Sequence, residues 1–512
     1  MPYLIGLDVG TSSAKTVLID GRGRVAFATA PAYEFRTPRP LWAESDPADW
    51  WRAAVAALKE LFAKSGVAPG EIVGFGLTGQ MHGLVLLDDR GEVLRPCIMW
   101  NDQRTAAECA ALTKKIGRAR VLRLTGNPVL PGFTAPKIAW VARHEPQVFR
   151  RIAKILLPKD YLRYKLSGEF FTDVSDASGM SLLDVAKRRW SDPMLRACGV
   201  PREWLAEVTE SPVASTVVSI EAARLTGLRA GTPIIAGAGD QAAGAIGCGI
   251  VRPGIVSCTL GTSGVIFAHA DKYRPEPQGR LHAFCHAAPG QWHLMGVQLS
   301  SAGSFQWFKN NFGGEESARE KAGGPNAYDA LTALAATAPA GCEGLIFLPY
   351  LSGERTPHPD PHARGIFFGL TLRHGKAHLA RAVLEGVTYG LRDALGLMRG
   401  LGIRPREIVA SGGGARSAFW RQMLADNFET PVTTVSATEG SAYGAALLAG
   451  VGAGVWPTVE AACAACIKET TRTQPGPAAK IYRDYYSHFR ALYPILKDEF
   501  AALAKTTARH HE

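Results

Sequence analysis

An acidic residue, Asp240, stands with Gln241 in the stretch IIAGAGDQAAGAIG, residues 234–247, which otherwise contains only Gly, Ala and Ile. The pattern predicts an apolar strand before Asp240 and an Ala/Gly-rich helix after it. Such neighbours give a carboxylate no packing role. Phosphoryl transfer to an alcohol needs positioned donors, a metal and one carboxylate that accepts the hydroxyl proton, and Asp240 is the candidate for that carboxylate. An N-cap for the helix is the alternative, and the two roles can coexist.

Two turns rich in hydroxyl groups interrupt apolar runs that lie half a chain apart. They occur in YLIGLDVGTSSAKTVLID and in IVSCTLGTSGVIFA. Closely spaced backbone N–H groups, glycines and hydroxyls can bind phosphate oxygens there, whereas two ordinary hairpin turns are the alternative. The repetition favours phosphate binding. The residues concerned are Thr11, Ser12, Ser13 and the cation Lys15 in the first run, and Gly261, Thr262 and Ser263 in the second.

Two further stretches bear on the same chemistry. Asp8, at the end of the first apolar run, is predicted to orient water around Mg²⁺, an ion that keeps several waters and takes few protein ligands. The segment SGGGARS, residues 411–417, follows the strand-like EIVA and precedes a predicted helix. Its bare backbone could lie against a flat aromatic base, or it could be a structural loop, and the residues alone leave both open.

Three other patterns are set aside. GFGLTG, residues 74–79, has the spacing of a dinucleotide fingerprint but is followed by a second strand-like run instead of a helix. GLTLRHGKA, residues 369–377, has one residue too many for a P-loop and an alanine where a hydroxyl belongs. Cys463 and Cys466 lack a second pair for a tetrahedral metal site, so packing within a helix is predicted.

The elements that must position these residues indicate two α/β domains. A chain of 512 residues is too long for one hydrophobic core, and strand-like runs alternate with helical stretches in both halves. Three antiparallel strands are predicted between Tyr3 and Ala30, and helices at residues 49–64, 376–399 and 419–427. The boundary is predicted near Arg252-Pro253-Gly254, which gives an N-terminal domain of residues 1–253 and a C-terminal domain of residues 254–512.

Composition limits the classes of function. The net charge of +11 comes from scattered Lys and Arg without a block of like charges, so nucleic-acid binding is not expected. No apolar run approaches the ~20 residues that span a bilayer, and the start lacks the pattern of a secretory leader. Nine cysteines at irregular spacing are typical of reduced thiols. A cytoplasmic protein without membrane contact is expected.

Taken in order, the first turn, GAGDQAAGAIG, TLGTSG, SGGGARS and EGSAYGAA resemble the phosphate, connecting and adenosine segments of the actin and hexokinase superfamily. Within it, the chain resembles the FGGY carbohydrate kinases from about Tyr3 to Val455. That likeness rests on GQMHG, WNDQRT, GFTAPKIAW, TDVSDASGMSLLD and LSGERTPHPDPHARGIFFGL. The letters FGGY themselves occur nowhere, and the nearest match is FFGL, residues 367–370. The resemblance implies a two-domain actin/hexokinase-like (ribonuclease H-like) fold with mixed sheets and an interdomain cleft.

The same resemblance implies ATP and Mg²⁺ as cofactors, a small sugar as partner and a homodimer. D-xylulose is the expected acceptor, with ribulose or gluconate as alternatives. His358 and His362, in HPDPH, then belong to the family's signature loop and not to a metal site. A chaperone-like ATPase would not need GQMHG and WNDQRT, and a non-catalytic sugar-binding module would be expected to lack Asp240.

Residue roles follow by position. Asp240 matches the proton acceptor. On the sugar side, the matching or candidate residues are Met81, His82, Asn101 and Arg104. The predicted nucleotide site contains Thr11, Ser12, Ser13, Lys15, Gly261, Thr262, Gln306, Gly413, Gly414 and Ser417, with Asp8 near the metal through water.

Overall fold

Mixed β-sheets form the framework of the protein, whose computed structural model describes residues 2–437 and 439–511. The strands of the N-terminal half are β1 (Tyr3–Val9), β2 (Ala14–Asp20), β3 (Val25–Thr29), β4 (Glu44–Ser45), β5 (Ile72–Gly79), β6 (Val85–Leu87), β7 (Cys97–Ile98), β8 (Lys154–Leu156), β9 (Phe171–Asp173), β10 (Leu183–Asp184), β11 (Arg189–Trp190), β12 (Glu207–Thr209), β13 (Ala214–Val217), β14 (Pro233–Ile235) and β15 (Ala238–Gly239). Those of the C-terminal half are β16 (Ile255–Leu260), β17 (Gly264–Ala270), β18 (His282–Cys285), β19 (Trp292–Gln298), β20 (Ile346–Leu348), β21 (Ile366–Phe368), β22 (Glu407–Ser411), β23 (Val432–Val435) and β24 (Glu469–Thr473).

Helices cover these sheets. They are α1 (Pro47–Ser65), α2 (Ala106–Ile116), α3 (Arg118–Thr125), α4 (Thr134–His144), α5 (Pro146–Phe149), α6 (Pro158–Ser167), α7 (Val174–Ala177), α8 (Asp192–Cys198), α9 (Ile220–Thr226), α10 (Asp240–Gly247), α11 (Ala302–Phe312), α12 (Gly314–Lys321), α13 (Ala327–Thr337), α14 (Lys376–Gly400), α15 (Ala418–Phe428), α16 (Gly440–Gly452), α17 (Val459–Cys466) and α18 (Ala479–His511).

The two large sheets are built alike. The first has the strand order β13-β14-β5-β1-β2-β3, with β15 also paired to β5, and the second has the order β18-β19-β17-β16-β22-β23-β24. In each, an antiparallel hairpin, β1–β2 or β16–β17, adds a parallel neighbour, β5 or β22. The two-domain, mixed-sheet prediction is confirmed. The boundary near residue 253 stays a prediction.

Local signals place most elements. The three antiparallel N-terminal strands are confirmed as β1, β2 and β3, and the three predicted helices are confirmed as α1, α14 and α15 within a few residues. α1 begins where the Asp46 carboxylate accepts a hydrogen bond from the Ala48 N–H, and it ends before Gly66, whose φ is 71°. Cys463 and Cys466 are buried on α17, as predicted.

Helix α16 joins the two halves of the chain. It comes from the C-terminal half but packs against β1, β5 and α10, where glycines allow backbone to approach backbone. A methyl group at Gly444 would lie 1.8 Å from the Ala243 carbonyl oxygen, and one at Gly6 would lie 1.9 Å from the Ala442 carbonyl oxygen. The small residues of EGSAYGAA therefore make a tight helix contact next to the residue that begins α10.

Within residues 2–437 and 439–511, no helix combines the length and apolar character required to cross a membrane. The same residues contain no cluster of three His, Cys, Asp or Glu side chains arranged to hold a metal. His358 stacks on Tyr493 of α18 with 3.7 Å between ring centroids, so its ring packs the loop against that helix.

Candidate active site

The carboxyl ends of three parallel strands meet at one edge of the first sheet. β1 pairs with β5, and β5 pairs with β15, so Val9, Gly79 and Gly239 lie side by side. The segments that follow these strands therefore converge: the first turn after β1, Met81 and His82 after β5, and Asp240 after β15. In α/β sheets, ligands bind outside the carboxyl ends of strands.

Asp240 is the first residue of α10. One oxygen, Oδ1, accepts a 2.8 Å hydrogen bond from the Gln241 N–H, while Gly239 occupies the N-cap position. The alternative assignment of Asp240 as the N-cap is therefore wrong. Burial, reinforced by the negative charge of Asp8, raises the pKa of the Asp240 carboxyl group to about 7. A carboxylate that titrates near neutral pH is well matched to general-base work.

Asp8 lies near the end of β1 with one oxygen engaged and one free. Its Oδ2 accepts a short hydrogen bond from the Ser441 hydroxyl, while Oδ1 is buried and has no hydrogen-bond partner among the described residues. Burial raises the pKa of this carboxyl group, although Ser441 and Lys15 act in the opposite direction. A free carboxylate oxygen is a donor that suits Mg²⁺ or a water bound to it. The residues present thus fit the predicted metal.

The first turn is a tightly held loop whose hydroxyls remain accessible. The Gly10 N–H donates to the Ser13 carbonyl over 3.0 Å, and the Tyr33 hydroxyl donates to the Gly10 carbonyl over 2.6 Å. Ser12 is exposed at the tip, and Thr11 is half-buried beside it. Because the backbone is fixed from behind, the N–H and hydroxyl groups of the loop need little reorganisation to meet an anion.

Two contacts connect this turn to other parts of the chain. The Trp100 indole N–H donates to the Thr11 hydroxyl over 3.0 Å, which brings the WNDQRT segment to the turn. The Lys15 ammonium forms a 2.7 Å ion pair with Glu439, next to α16. Lys15 is therefore positioned near Asp8 but shares its charge with a carboxylate.

In the second sheet, the second turn and the glycine-rich loop also converge at the carboxyl ends of neighbouring parallel strands. β16 and β22 are parallel, and the hydroxyls of Thr259 and Ser411 lie 3.0 Å apart near their carboxyl ends. The turn follows β16 and the loop follows β22. Helix α11 begins against the turn, because the Ala302 N–H donates to the Gly261 carbonyl over 2.9 Å. This contact directs Gln306, one turn further along α11, toward the same space.

A cavity of about 840 Å³ occupies that space. Six residues of the predicted nucleotide site line it, namely Gly261, Thr262, Gln306, Gly413, Gly414 and Ser417. Tyr328, Trp420 and Phe305 supply apolar or aromatic surface. A cavity of this size, lined on one side by glycine backbone without side chains, can accommodate a nucleotide base and its ribose.

A second cavity, of about 630 Å³, lies between the two halves of the chain. Asp240 and Gln241 line it from one side, and Thr259 and Ser411 from the other. Both cavities share Gly413 in their walls. The glycine loop thus lies between the 840 Å³ cavity, which could accommodate a base, and the 630 Å³ cleft that contains the Asp240 carboxylate.

Met81 and His82 lie at the sheet edge beside Asp240. Met81 is 4% exposed, and a methyl group at Gly239 would approach its side chain to 2.9 Å. The His82 ring stacks on Phe133 with 4.5 Å between centroids. The geometry therefore brings the sugar-side pair and the carboxylate candidate to neighbouring positions.

The other two sugar-side candidates differ in placement. Asn101 has its Oδ1 buried without a hydrogen-bond partner among the described residues, and a sugar contact for it stays a prediction. The Arg104 guanidinium is 1% exposed, pairs with Asp102 and Glu44, and lies 3.6 Å from the Trp42 ring centroid. This geometry contradicts a sugar contact for Arg104, which instead holds the WNDQRT segment in place.

Sequence reasoning missed a buried ionic cluster behind Asp240. The Lys159 ammonium lies 2.5 Å from Asp160, 3.0 Å from Asp173 and 3.5 Å from Asp176, and Arg163 is the second cation. All five side chains are at most 2% exposed. Three carboxylates face two cations, and burial raises the pKa of Asp176 well above its usual value. The two Asp residues of TDVSDASGM were the sequence feature that could have indicated this cluster.

This cluster is connected to the residue that precedes Asp240. The Ser175 hydroxyl donates to Asp173 over 2.5 Å and accepts from the Gly239 N–H over 3.1 Å. The backbone at Gly239 is therefore fixed by buried hydrogen bonds, and the direction of the following Asp240 side chain is fixed with it.

Comparison with known proteins agrees with this arrangement. The model of the FGGY family of carbohydrate kinases, N-terminal domain, matches residues 3–247, and that of the C-terminal domain matches residues 256–453. The chain is 47% identical to the xylulose kinase of Escherichia coli K12 over 82% of this chain and 84% of that one. It is 30% identical to the gluconokinase of Bacillus subtilis over 98% of both. The crystal structure of xylulose kinase from Rhodospirillum rubrum superposes with a TM-score of 0.90 at 34% identity, covering 98% of this chain and 100% of that one.

Proposed function

The chain belongs to the FGGY family of carbohydrate kinases and is an ATP-dependent sugar kinase, and we propose that its acceptor is D-xylulose. The terminal hydroxyl of the ketose attacks the γ-phosphorus, a new O–P bond forms, and the bond to the β-phosphate oxygen breaks. The products are D-xylulose 5-phosphate and ADP.

One observation carries this assignment: Asp240 occupies the cleft where the sugar-side segment and the nucleotide cavity adjoin. Asp240 accepts the hydroxyl proton as the O–P bond forms, and its pKa of about 7 leaves roughly half of it ionised, and so able to do so, at neutral pH. Met81 and His82 hold the ketose so that the attacking oxygen is aligned, and alignment itself lowers the barrier substantially.

The two turns act on the phosphates. Backbone N–H groups and the hydroxyls of Thr11, Ser12, Ser13 and Thr262 donate to phosphate oxygens, and Lys15 adds positive charge. Gly413, Gly414, Ser417 and Gln306 bind the adenosine end. Asp8 would hold Mg²⁺ through water, and the ion, when bound, would supply charge neutralisation for the phosphates. A cytoplasmic location and a homodimer stay predictions of the sequence analysis.

A sugar panel tests the proposal. Purified protein is supplied with ATP and Mg²⁺, and ADP release is measured with D-xylulose, D-ribulose, gluconate, or no acceptor. Turnover with D-xylulose well above the other acceptors, with the 5-phosphate identified by mass spectrometry, is expected. Preference for gluconate would favour the function named for the Bacillus subtilis relative. ATP hydrolysis that is equal with and without sugar would contradict a kinase.

A further inference from the structure

The His82 ring has a defined hydrogen-bonding direction. Its Nδ1 lies 2.8 Å from the carbonyl oxygen of Gly179. A carbonyl oxygen only accepts hydrogen bonds, so Nδ1 carries the hydrogen and donates it. In a neutral imidazole the other nitrogen, Nε2, then has a free lone pair, and it makes no hydrogen bond within the described residues. A methyl group at Gly179 would lie 2.3 Å from Nδ1, so only glycine leaves room for this contact.

The surroundings keep this ring neutral. Burial, the ammonium of Lys137 and the guanidinium of Arg355 lower the pKa of His82 to about 3, and only the hydrogen bond to Gly179 opposes them. His282, on β18, also has its pKa lowered well below its usual value, so it is neutral and adds no charge beside His82. His82 is therefore uncharged near neutral pH.

The backbone of His82 is also held in an uncommon conformation. Its φ is 70°, in the left-handed region that residues with a side chain seldom adopt. Two donors from α4 fix the His82 carbonyl: the Thr134 hydroxyl at 3.0 Å and the Lys137 ammonium at 2.9 Å. The Lys137 ammonium also donates to the Gly132 carbonyl over 2.7 Å.

Lys137 is unusual in itself. The side chain is 0% exposed, its ammonium donates to the His82 and Gly132 carbonyl oxygens, and burial lowers its pKa to about 7. Placing an ammonium in such a site costs free energy, so a plain packing role does not account for it. A role in holding the carbonyl of the strained residue His82, next to the proposed sugar site, accounts for the buried ammonium.

We propose that His82 is a hydrogen-bond acceptor of fixed tautomer, whose Nε2 requires a donating hydroxyl of the sugar, and that Lys137 is the residue that positions it. The proposal rests on the proposed function and deepens it. Selectivity follows, because a carbonyl, ether or carboxylate oxygen at that position has no hydrogen to give. An acceptor placed there would leave two lone pairs facing each other in a desolvated site.

The first experiment uses analogues of D-xylulose in which one non-reacting hydroxyl at a time is replaced by fluorine, which does not donate. For one analogue, kcat/KM of the unsubstituted enzyme should fall roughly tenfold or more. In His82→Asn, which tolerates a left-handed backbone and keeps the contact to Gly179 but lacks an acceptor at Nε2, that fall should vanish. His82→Gln, whose amide oxygen can reach the same point, should restore part of it. An equal fall in all three proteins, or none in any, would overturn the proposal.

The positioning role of Lys137 has its own readout. Lys137→Met should raise the KM for the ketose at least about tenfold while the KM for ATP stays unchanged, because only the sugar-side segment loses its anchor. Lys114→Met, an exposed lysine on α2, is the matched control and should change neither constant. If Lys137→Met does not fold, Thr134→Val removes the second donor with little change in shape and should give a smaller rise in the same constant. A rise shared equally by both substrates would contradict positioning.

Nitrogen NMR separates this inference from the proposed function. With ¹⁵N-histidine labelling, the signals that disappear in His82→Asn belong to His82. A neutral ring protonated at Nδ1 between pH 5 and pH 8 is expected, and an imidazolium or a ring protonated at Nε2 would refute the inference even in an active kinase. If the ring is as expected but no ketose is phosphorylated, the proposed function alone is wrong.

Discussion

Asp8, near the end of β1, and Asp240, at the start of α10, lie close enough that the charge of Asp8 raises the pKa of Asp240. Burial raises the pKa of both carboxyl groups. Two buried carboxylates resist being ionised together unless a cation lies near them. A bound Mg²⁺ would remove that resistance, and this links metal binding to the readiness of Asp240 to accept a proton.

Replacing the proton acceptor should remove turnover. Asp240→Asn is expected to lower kcat by a factor of about 10² to 10⁴, because the amide cannot take the hydroxyl proton. Nucleotide affinity, measured by calorimetry, should stay near that of the unsubstituted protein. Asp89→Asn, an exposed carboxylate on the same half, serves as control. Near-normal kcat in Asp240→Asn would refute the assigned role.

The rate should depend on pH in a defined direction. The ionised form of Asp240 is the base, and its pKa of about 7 means that kcat/KM falls tenfold per unit as pH drops below about 7 and levels off above it. More Mg²⁺ should move the midpoint to lower pH, since a cation favours the carboxylate. Initial rates from pH 5.5 to pH 8.5 at two Mg²⁺ concentrations measure both effects. A flat profile would contradict the assignment.

Removal of the metal-side carboxylate should weaken Mg²⁺ binding. Asp8→Asn deletes the charge while keeping the shape, and the Mg²⁺ concentration for half-maximal rate is expected to rise about 10- to 100-fold. EDTA should abolish turnover of the unsubstituted protein, and added Mg²⁺ should restore it. An unchanged Mg²⁺ requirement in Asp8→Asn would show that other groups hold the ion.

The glycine loop allows ligand contact to be separated from packing. A methyl group at Gly413 meets no atom within 4 Å and extends into open space, whereas one at Gly414 would lie 2.8 Å from the Trp420 ring. Gly413→Ala should therefore raise the KM for ATP about tenfold, or about 1.4 kcal/mol, with an unchanged melting temperature. Gly414→Ala should lower the melting temperature as well. Normal KM for ATP in Gly413→Ala would place the nucleotide elsewhere.

The contact between α10 and α16 should be intolerant of a single methyl group. Gly444→Ala would force backbone against the Ala243 carbonyl and is expected to cost about 1–3 kcal/mol of unfolding free energy. Gly400→Ala, in α14 with no atom within 4 Å, should be neutral or slightly stabilising, because alanine favours helix. Urea unfolding of both variants checks this. Equal free energies of unfolding for the two variants would mean that α16 does not pack closely against α10.

The amino-acid sequence was enough to predict the local elements and the class of chemistry. β1–β2 and β16–β17 follow from apolar runs that break at hydroxyl-rich turns, and α14 follows from its period, because strand and helix preferences act between near neighbours. Asp240 could be singled out because a lone carboxylate among Gly and Ala has no packing purpose. The likeness to a family supplied Met81 and His82.

How distant segments meet became visible in the folded chain and not before. The pairing of β15 with β5 sets Gly239 beside Gly79, and a lysine from GFTAPKIAW reaches the His82 carbonyl. Arg104, which the sequence left as a sugar-side candidate, is instead enclosed against Trp42. Such contacts depend on the packing of whole layers, and no preference of a residue for its own local conformation encodes them.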